Sequence, residues 1–277
     1  MFSKDSQRSY SPVGVHRKAE SMKRYLVCGA VLVTIVFVWY LAAGGSASGR
    51  NDLNIATWNI AAINNNPFEY WITHNDPAYN NMMDAVQNYI EKPGSGDIPV
   101  SQVFTQEMFD VLAENMEAVG WSGVDETREQ YANNFKDRKI ISEFMKDSEL
   151  GLKRLASMPD RTTNTVNLAD GSMAYRPTVI NCYDNQIKDL QAWFQQWLFF
   201  MFKQRMKIPD KNVDGGVVEK SGYELLVPIK RSKYPALTEA EETISIPLQT
   251  MCGAIFDAIL VQIVMVRLPL CPLCLVC

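Results

Sequence analysis

Leu53-Asn54-Ile55-Ala56-Thr57-Trp58-Asn59-Ile60 is the stretch on which the fold assignment turns. Apolar and β-branched residues run almost unbroken through it, the pattern of a strand covered on both faces, and a polar Asn59 stands at its end. Two readings of that amide compete. In one, Asn59 closes the strand by bonding its own backbone, which suits the turn-forming Asn64-Asn65-Asn66-Pro67 run just beyond. In the other, a short uncharged donor and acceptor at a strand end holds a water, a phosphate oxygen or a metal-bound ligand.

With its Thr57-Trp58-Asn59-Ile60 core, this stretch resembles the opening strand of the endonuclease/exonuclease/phosphatase superfamily, the DNase I-like fold. The resemblance implies a metal-dependent phosphodiesterase site in which Asn59 is the catalytic asparagine. The family's metal-binding glutamate follows in a hydrophobic-Gln-Glu context, and Val103-Phe104-Thr105-Gln106-Glu107 is similar to it. The resemblance therefore implies Glu107 and Asn59 as ligands of Mg²⁺, a hard cation suited to one or two carboxylates plus substrate oxygens.

Local signals around Glu107 also support a purely structural reading. Thr105 is a good N-cap, apolar residues recur at Phe109, Leu112, Met116 and Val119, and Gly120 supplies a stop. Glu107 then falls in the first helical turn, where the helix dipole favours an acid. The interval from Asn59 to Glu107 is long for the family. Its later motifs, an Asp-x-Asn pair after a glycine and a terminal Ser-Asp-His, are absent from the sequence. Of the 2 histidines, His16 precedes the apolar segment described next and His74 lies in a loop-like run, so neither stands where a general base is expected.

Residues 1–24 form a polar tail in which Lys4, Arg8, Arg17, Lys18, Lys23 and Arg24 face only Asp5 and Glu20. Residues 25–43 carry no charge, are long enough to cross a bilayer as a helix, and end in Trp39 and Tyr40, rings that favour the interface. The basic excess precedes this span, so a single-pass signal anchor is expected, with a cytosolic tail and the bulk of the chain lumenal or extracellular. The alternative is a signal peptide cleaved near Gly45-Ser46-Ala47-Ser48, but the apolar run exceeds a usual signal core. The many asparagines include no Asn-x-Ser/Thr acceptor.

Residues 44–52 form a Gly/Ser linker, and 53–267 the globular domain. Over the whole chain, 277 residues with 47% hydrophobic and 21% charged allow one sizeable core. The net charge of -4 offers no field for nucleic acid. Asp76-Pro77 caps a helix whose apolar face is Tyr79, Met82, Met83, Val86, Tyr89 and Ile90, ended by Pro93-Gly94. The aromatics Phe68, Tyr70 and Trp71 suit packing under a loop better than stacking on a base. Ile140 to Leu155 predicts broken helical turns; the basic Lys136, Arg138, Lys139, Lys153, Arg154 and Arg161 offer a phosphate-facing patch, but the interleaved Asp137, Glu143, Asp147, Glu149 and Asp160 favour an ordinary solvated face.

Residues 175–183 are expected as a strand, with Tyr175-Arg176 a conceivable phosphate contact. Residues 187–205 form a helix with Ile187, Leu190, Phe194, Trp197, Leu198 and Met201 at helical spacing, packed in the core or lying on a membrane. Gly215-Gly216 marks a loop, and Thr238-Glu239-Ala240-Glu241 a capping box. Leu248 to Val266 is a long apolar helix with Asp257 near its middle. An unpaired carboxylate is costly in hydrocarbon, so a buried domain helix is preferred over a second span.

Residues 268–277 form an apolar tail with Cys271, Cys274 and Cys277, half of a metal-site spacing with no second pair nearby. Such an end suggests a reading frame stopped early. The fold class expected is therefore α/β (α+β): an incomplete DNase I-like sandwich with much helix, preceded by one transmembrane helix. The function implied by the resemblance is Mg²⁺-dependent hydrolysis of a phosphate ester, impaired here because the back of the site is missing. The competing expectation is a non-catalytic, membrane-tethered helical interaction module using the Trp193 to Phe202 surface.

Overall fold

The computed structural model describes residues 67–68, 75–156, 163–210, 212–213 and 215–267. All of them belong to the larger of the chain's two units, Ala62–Cys277. The opening stretch 53–60, the expected anchor 25–43, both histidines and the cysteine tail lie outside the described residues.

The architecture is mixed and mainly helical. Its helices are α1 (Pro77–Glu91), α2 (Gln106–Ala118), α3 (Val124–Gln130), α4 (Ser148–Leu152), α5 (Leu190–Leu198), α6 (Glu239–Thr243) and α7 (Ser245–Arg267). Wider π-type turns at Tyr131–Phe135, Ile140–Met145 and Phe199–Lys203 interrupt or extend them. Two antiparallel hairpins complete the described fold: β1 (Thr165–Asn167) with β2 (Met173–Tyr175), and β3 (Met206–Pro209) with β4 (Val217–Lys220). Among the described residues the strands form these two hairpins and no layered sandwich. The α+β class stands in this coarse sense.

Helix α7 is the axis of the fold. Its 23 residues are apolar on every face, and such a helix is stable in water only when other elements surround it. Helices α1, α2, α3, α5 and α6 all pack on it. Met251, Cys252, Ala254, Ile255, Ala258, Ile259, Leu260, Val261 and Ile263 are fully buried. The helix is long and apolar enough to cross a membrane, yet 72% of its apolar window is inside the protein, which agrees with the expected core helix. Pro247 sits in its first turn, where a missing N–H costs nothing.

Local rules place the surrounding helices. Asp76 caps α1 by accepting from Ala78 N at 2.8 Å. The Thr105 hydroxyl caps α2 by accepting from Met108 N at 3.3 Å. Asp189 caps α5 through Ala192 N at 2.7 Å, and Thr238 and Glu241 complete a reciprocal capping box on α6. The helix expected over 187–205 thus starts at Leu190, beneath Asp189, and widens after Leu198. The strand expected over 175–183 stops at Tyr175. Pro177 has no N–H to lend a ladder, and the chain runs irregularly from there.

The aromatic packing ties these helices into one core. Tyr131 stacks on Phe109 with centroids 4.4 Å apart and donates its hydroxyl to Phe104 O at 2.6 Å. Phe104 meets Phe194 edge to face at 5.6 Å. Trp193, Phe194, Trp197, Leu198, Phe200, Met201 and Phe202 are buried, and Phe199 is 56% exposed. The surface assigned to a partner in the sequence reading is thus consumed by the protein's own core. Gly123 lets α3 approach α7: its φ is +81°, and a Cβ there would stand 2.5 Å from Ile244 Cγ2.

Candidate functional site: a buried charge centre beside a small cavity

Asp257 lies midway along α7 and is wholly buried. An apolar helix tolerates such a group only if its charge is met, because the desolvation penalty for an isolated carboxylate is many kcal/mol. Arg176 meets it with a two-pronged contact. Its Nε donates to Oδ2 at 2.7 Å and its Nη2 to Oδ1 at 3.3 Å. Trp197 adds an indole N–H on Oδ2 at 3.0 Å, and Arg176 Nη1 donates to the Thr163 hydroxyl at 2.6 Å. Burial holds the Asp257 carboxyl above its ordinary range, an effect that the Arg176 charge and the N–H bonds of Arg176 and Trp197 only partly offset. Thr178 stands near enough to favour the ionised acid, but its buried hydroxyl makes no hydrogen bond of normal geometry.

Three separate elements bring this centre together. Thr163 lies just before β1 and Arg176 just after β2, so closure of the first hairpin puts them side by side. Asn181 then pins the following loop: its Nδ2 donates to Arg176 O at 2.9 Å and Asn164 O at 2.8 Å, and its Oδ1 accepts from Tyr183 N at 3.0 Å. Trp197 comes from α5, whose Trp193 donates to Pro177 O at 2.8 Å and so fixes that helix against the same loop.

Beside the centre lies a cavity of about 50 Å³. Arg154, Thr163, Arg176, Trp197, Thr250 and Gly253 are among its walls. Arg154 gets there through an unusual backbone. Helix α4 ends in a Schellman motif, with Leu155 N donating to Leu150 O and Arg154 N to Gly151 O, both at 3.0 Å. That motif places Arg154 in the left-handed region at φ +63°, the one non-glycine with positive φ among the described residues. Glycine is the usual occupant of this position.

Glu107, implicated by sequence, sits elsewhere. Glu107 is exposed in the first turn of α2, where hydrogen bonds from the Thr105 side chain and its own backbone N–H hold its carboxyl below the usual range. It does not lie on the charge centre or the cavity. Asn59 is outside the described residues, so its distance from Glu107 is not defined. Among the described residues no three His, Cys, Asp or Glu side chains cluster as a metal site. Arg176, imagined as a phosphate contact, spends its guanidinium chiefly on Asp257. Of the basic residues in 136–154, Arg138 pairs with Asp147 at 2.6 Å and Lys153 with Glu241 at 2.9 Å, as on an ordinary charged surface.

Sequence reasoning missed Arg154, Arg176, Thr163 and Trp197 as members of one site. A signal was present in Asp257, whose place in an apolar run demands a cation. It could not single out the partner among 27 Lys and Arg residues.

No curated protein and no solved structure matches the chain. A family model described as a domain of unknown function, DUF8234, matches residues 97–269. That span runs from α2 to the end of α7 and contains the whole charge centre and cavity, and the chain belongs to this family.

Proposed function

We propose that the protein acts by binding rather than by catalysis, as a non-catalytic helical interaction module tethered to a membrane by residues 25–43, with its domain on the lumenal or extracellular side. One observation carries this reading. Asp257, the buried carboxylate among the described residues, is bound bidentately by Arg176 and capped by Trp197. A general base or metal ligand needs a free lone pair facing substrate, and this acid has its oxygens turned to donors of its own core. Glu107 is the other implicated acid, and it stands alone in a helical first turn. A half-buried aromatic patch, with Trp121 and Tyr223 each about 6 Å from Phe202, suits a contact surface better than the buried Trp193 to Phe202 helix does.

The test is an assay of the full-length protein in non-ionic detergent with Mg²⁺ and a generic phosphodiester. No cleavage above the protein-free rate is expected, and Glu107→Ala should behave as the parent does. Mg²⁺-dependent cleavage abolished by Glu107→Ala would overturn the reading. It would restore phosphate-ester hydrolysis with Asn59 and Glu107 at the metal.

A further inference from the structure

We propose that the loop 227–236 lies against an anionic lipid surface and holds the domain to it, an inference that rests on the membrane tether proposed above. The charge comes first. Between Glu224 and Glu239 the sequence carries Lys230, Arg231 and Lys233 and no acid, in a chain whose net charge is -4. All three cations are exposed, and none makes an ion pair among the described residues. Elsewhere Arg138, Lys153 and Arg205 each meet a carboxylate. The carboxylate bonded to this loop, Glu242, accepts from the Arg231 backbone N–H at 3.2 Å, and Arg231 Nε donates to Leu237 O at 3.1 Å. Lys233 Nζ lies over the Tyr234 ring, 5.6 Å from its centroid.

The fold holds this segment in place from beneath. Val227 O accepts from Gln249 Nε2 at 3.0 Å, and Ile229 N donates to Ser245 Oγ at 3.2 Å, so the loop is fastened to the first turns of α7. Ile229 and Leu237 are buried on either side of the cations. Lys230 O closes a turn between them, accepting from Lys233 N at 3.0 Å and Tyr234 N at 2.9 Å. A loop already ordered by folding loses little conformational freedom on binding.

The apolar groups decide which anionic partner fits. Val227 is 67% exposed, the most exposed large apolar side chain among the described residues, and Pro228, Pro235 and Ala236 are exposed with it. A purely ionic partner would meet the cations and leave Val227 and Pro228 in water. Cations beside exposed apolar groups and an amphipathic ring suit the boundary between headgroups and acyl chains. Each cation contributes about fivefold to binding at an anionic surface. That attraction is weak alone, but a tether keeps the loop near the bilayer at high effective concentration.

The experiment compares hydrogen exchange over 227–236 for the full-length protein in nanodiscs of phosphatidylcholine and in nanodiscs with added phosphatidylserine. Exchange should slow by about fivefold or more in the anionic discs, and high salt should remove the difference. Lys230→Glu combined with Lys233→Glu should abolish the slowing while leaving the unfolding temperature in detergent unchanged, since both side chains are exposed. Val227→Ser should reduce it. Equal exchange in the two discs, or slowing that survives the charge reversal, would overturn the proposal. A protein that enters neither disc would overturn the tether instead. Flotation of the free protein with vesicles of the same two compositions then makes the same comparison: binding to the anionic vesicles is expected, and no difference between them would overturn the proposal.

Discussion

Two acids carry the contrast in this molecule. Asp257, at the middle of α7, is fully buried and reached by a guanidinium from 81 residues away. Glu107, in the first turn of α2, is exposed and answers only to Thr105 and its own backbone. The acid in a motif-like context has the short-range environment of any helical first turn. The acid lying unannounced in an apolar helix joins the first hairpin and α5 to the central helix. The pair teaches that a carboxylate's importance here follows from what it must be paired with, not from the residues beside it in sequence.

The largest effect should come from breaking the charge centre. Asp257→Ala leaves Arg176 buried without its counter-charge, and Arg176→Ala does the same to Asp257, so each should destabilise by about 3–5 kcal/mol. Chemical denaturation monitored by tryptophan fluorescence would report both the loss and the loosening of Trp197. A change under about 1 kcal/mol in either variant would mean that water, rather than the partner, solvates the remaining charge.

Next in size is the close approach of α3 to α7. Gly123→Ala combines a left-handed backbone with a Cβ placed 2.5 Å from Ile244 Cγ2. Strain and overpacking together predict a loss of about 2–4 kcal/mol. Pairing it with Ile244→Ala should recover part of the loss by removing the clash and leave the backbone part behind.

The smallest effect belongs to the surface. Burial alone would push the Glu241 carboxyl up, but hydrogen bonds from Thr238 and from Lys153 more than offset this and hold it below the usual range. A lowered carboxylate stabilises the fold above its unfolded value and loses that contribution as pH falls through its folded value. Glu241→Gln should therefore cost about half a kcal/mol near neutral pH, since water screens the pair. Its melting curve should converge on that of the parent below about pH 4. A difference that persists or grows in acid would point to the amide's fit in the capping box instead.

These outcomes bear on how much the sequence disclosed. The caps at Asp76, Thr105 and Thr238 were legible because each depends on residues within four positions of itself. So was the burial of Leu248 to Val266, since one charge in a long apolar run says that the helix is inside a protein. The partner of that charge was not legible. Arg176 follows a three-residue strand and precedes Pro177, a context that advertises nothing, and only closure of the first hairpin aims it at α7. Arg154 was legible only as one of a run of basic residues, and its position on the cavity was hidden for a related reason. Its place on the cavity depends on a left-handed residue, and an arginine there gives no sign of the glycine-like backbone it adopts.

The central claim is that Arg176 and Asp257 hold the fold together as one unit, and a double-mutant cycle tests it most directly. Arg176→Met, Asp257→Leu and the double variant would be compared with the parent by denaturant unfolding. The account predicts two severe single losses and a double variant no worse than either single, with a coupling of about 2 kcal/mol or more. Additive losses, with the double variant falling by the sum of the two, would contradict it.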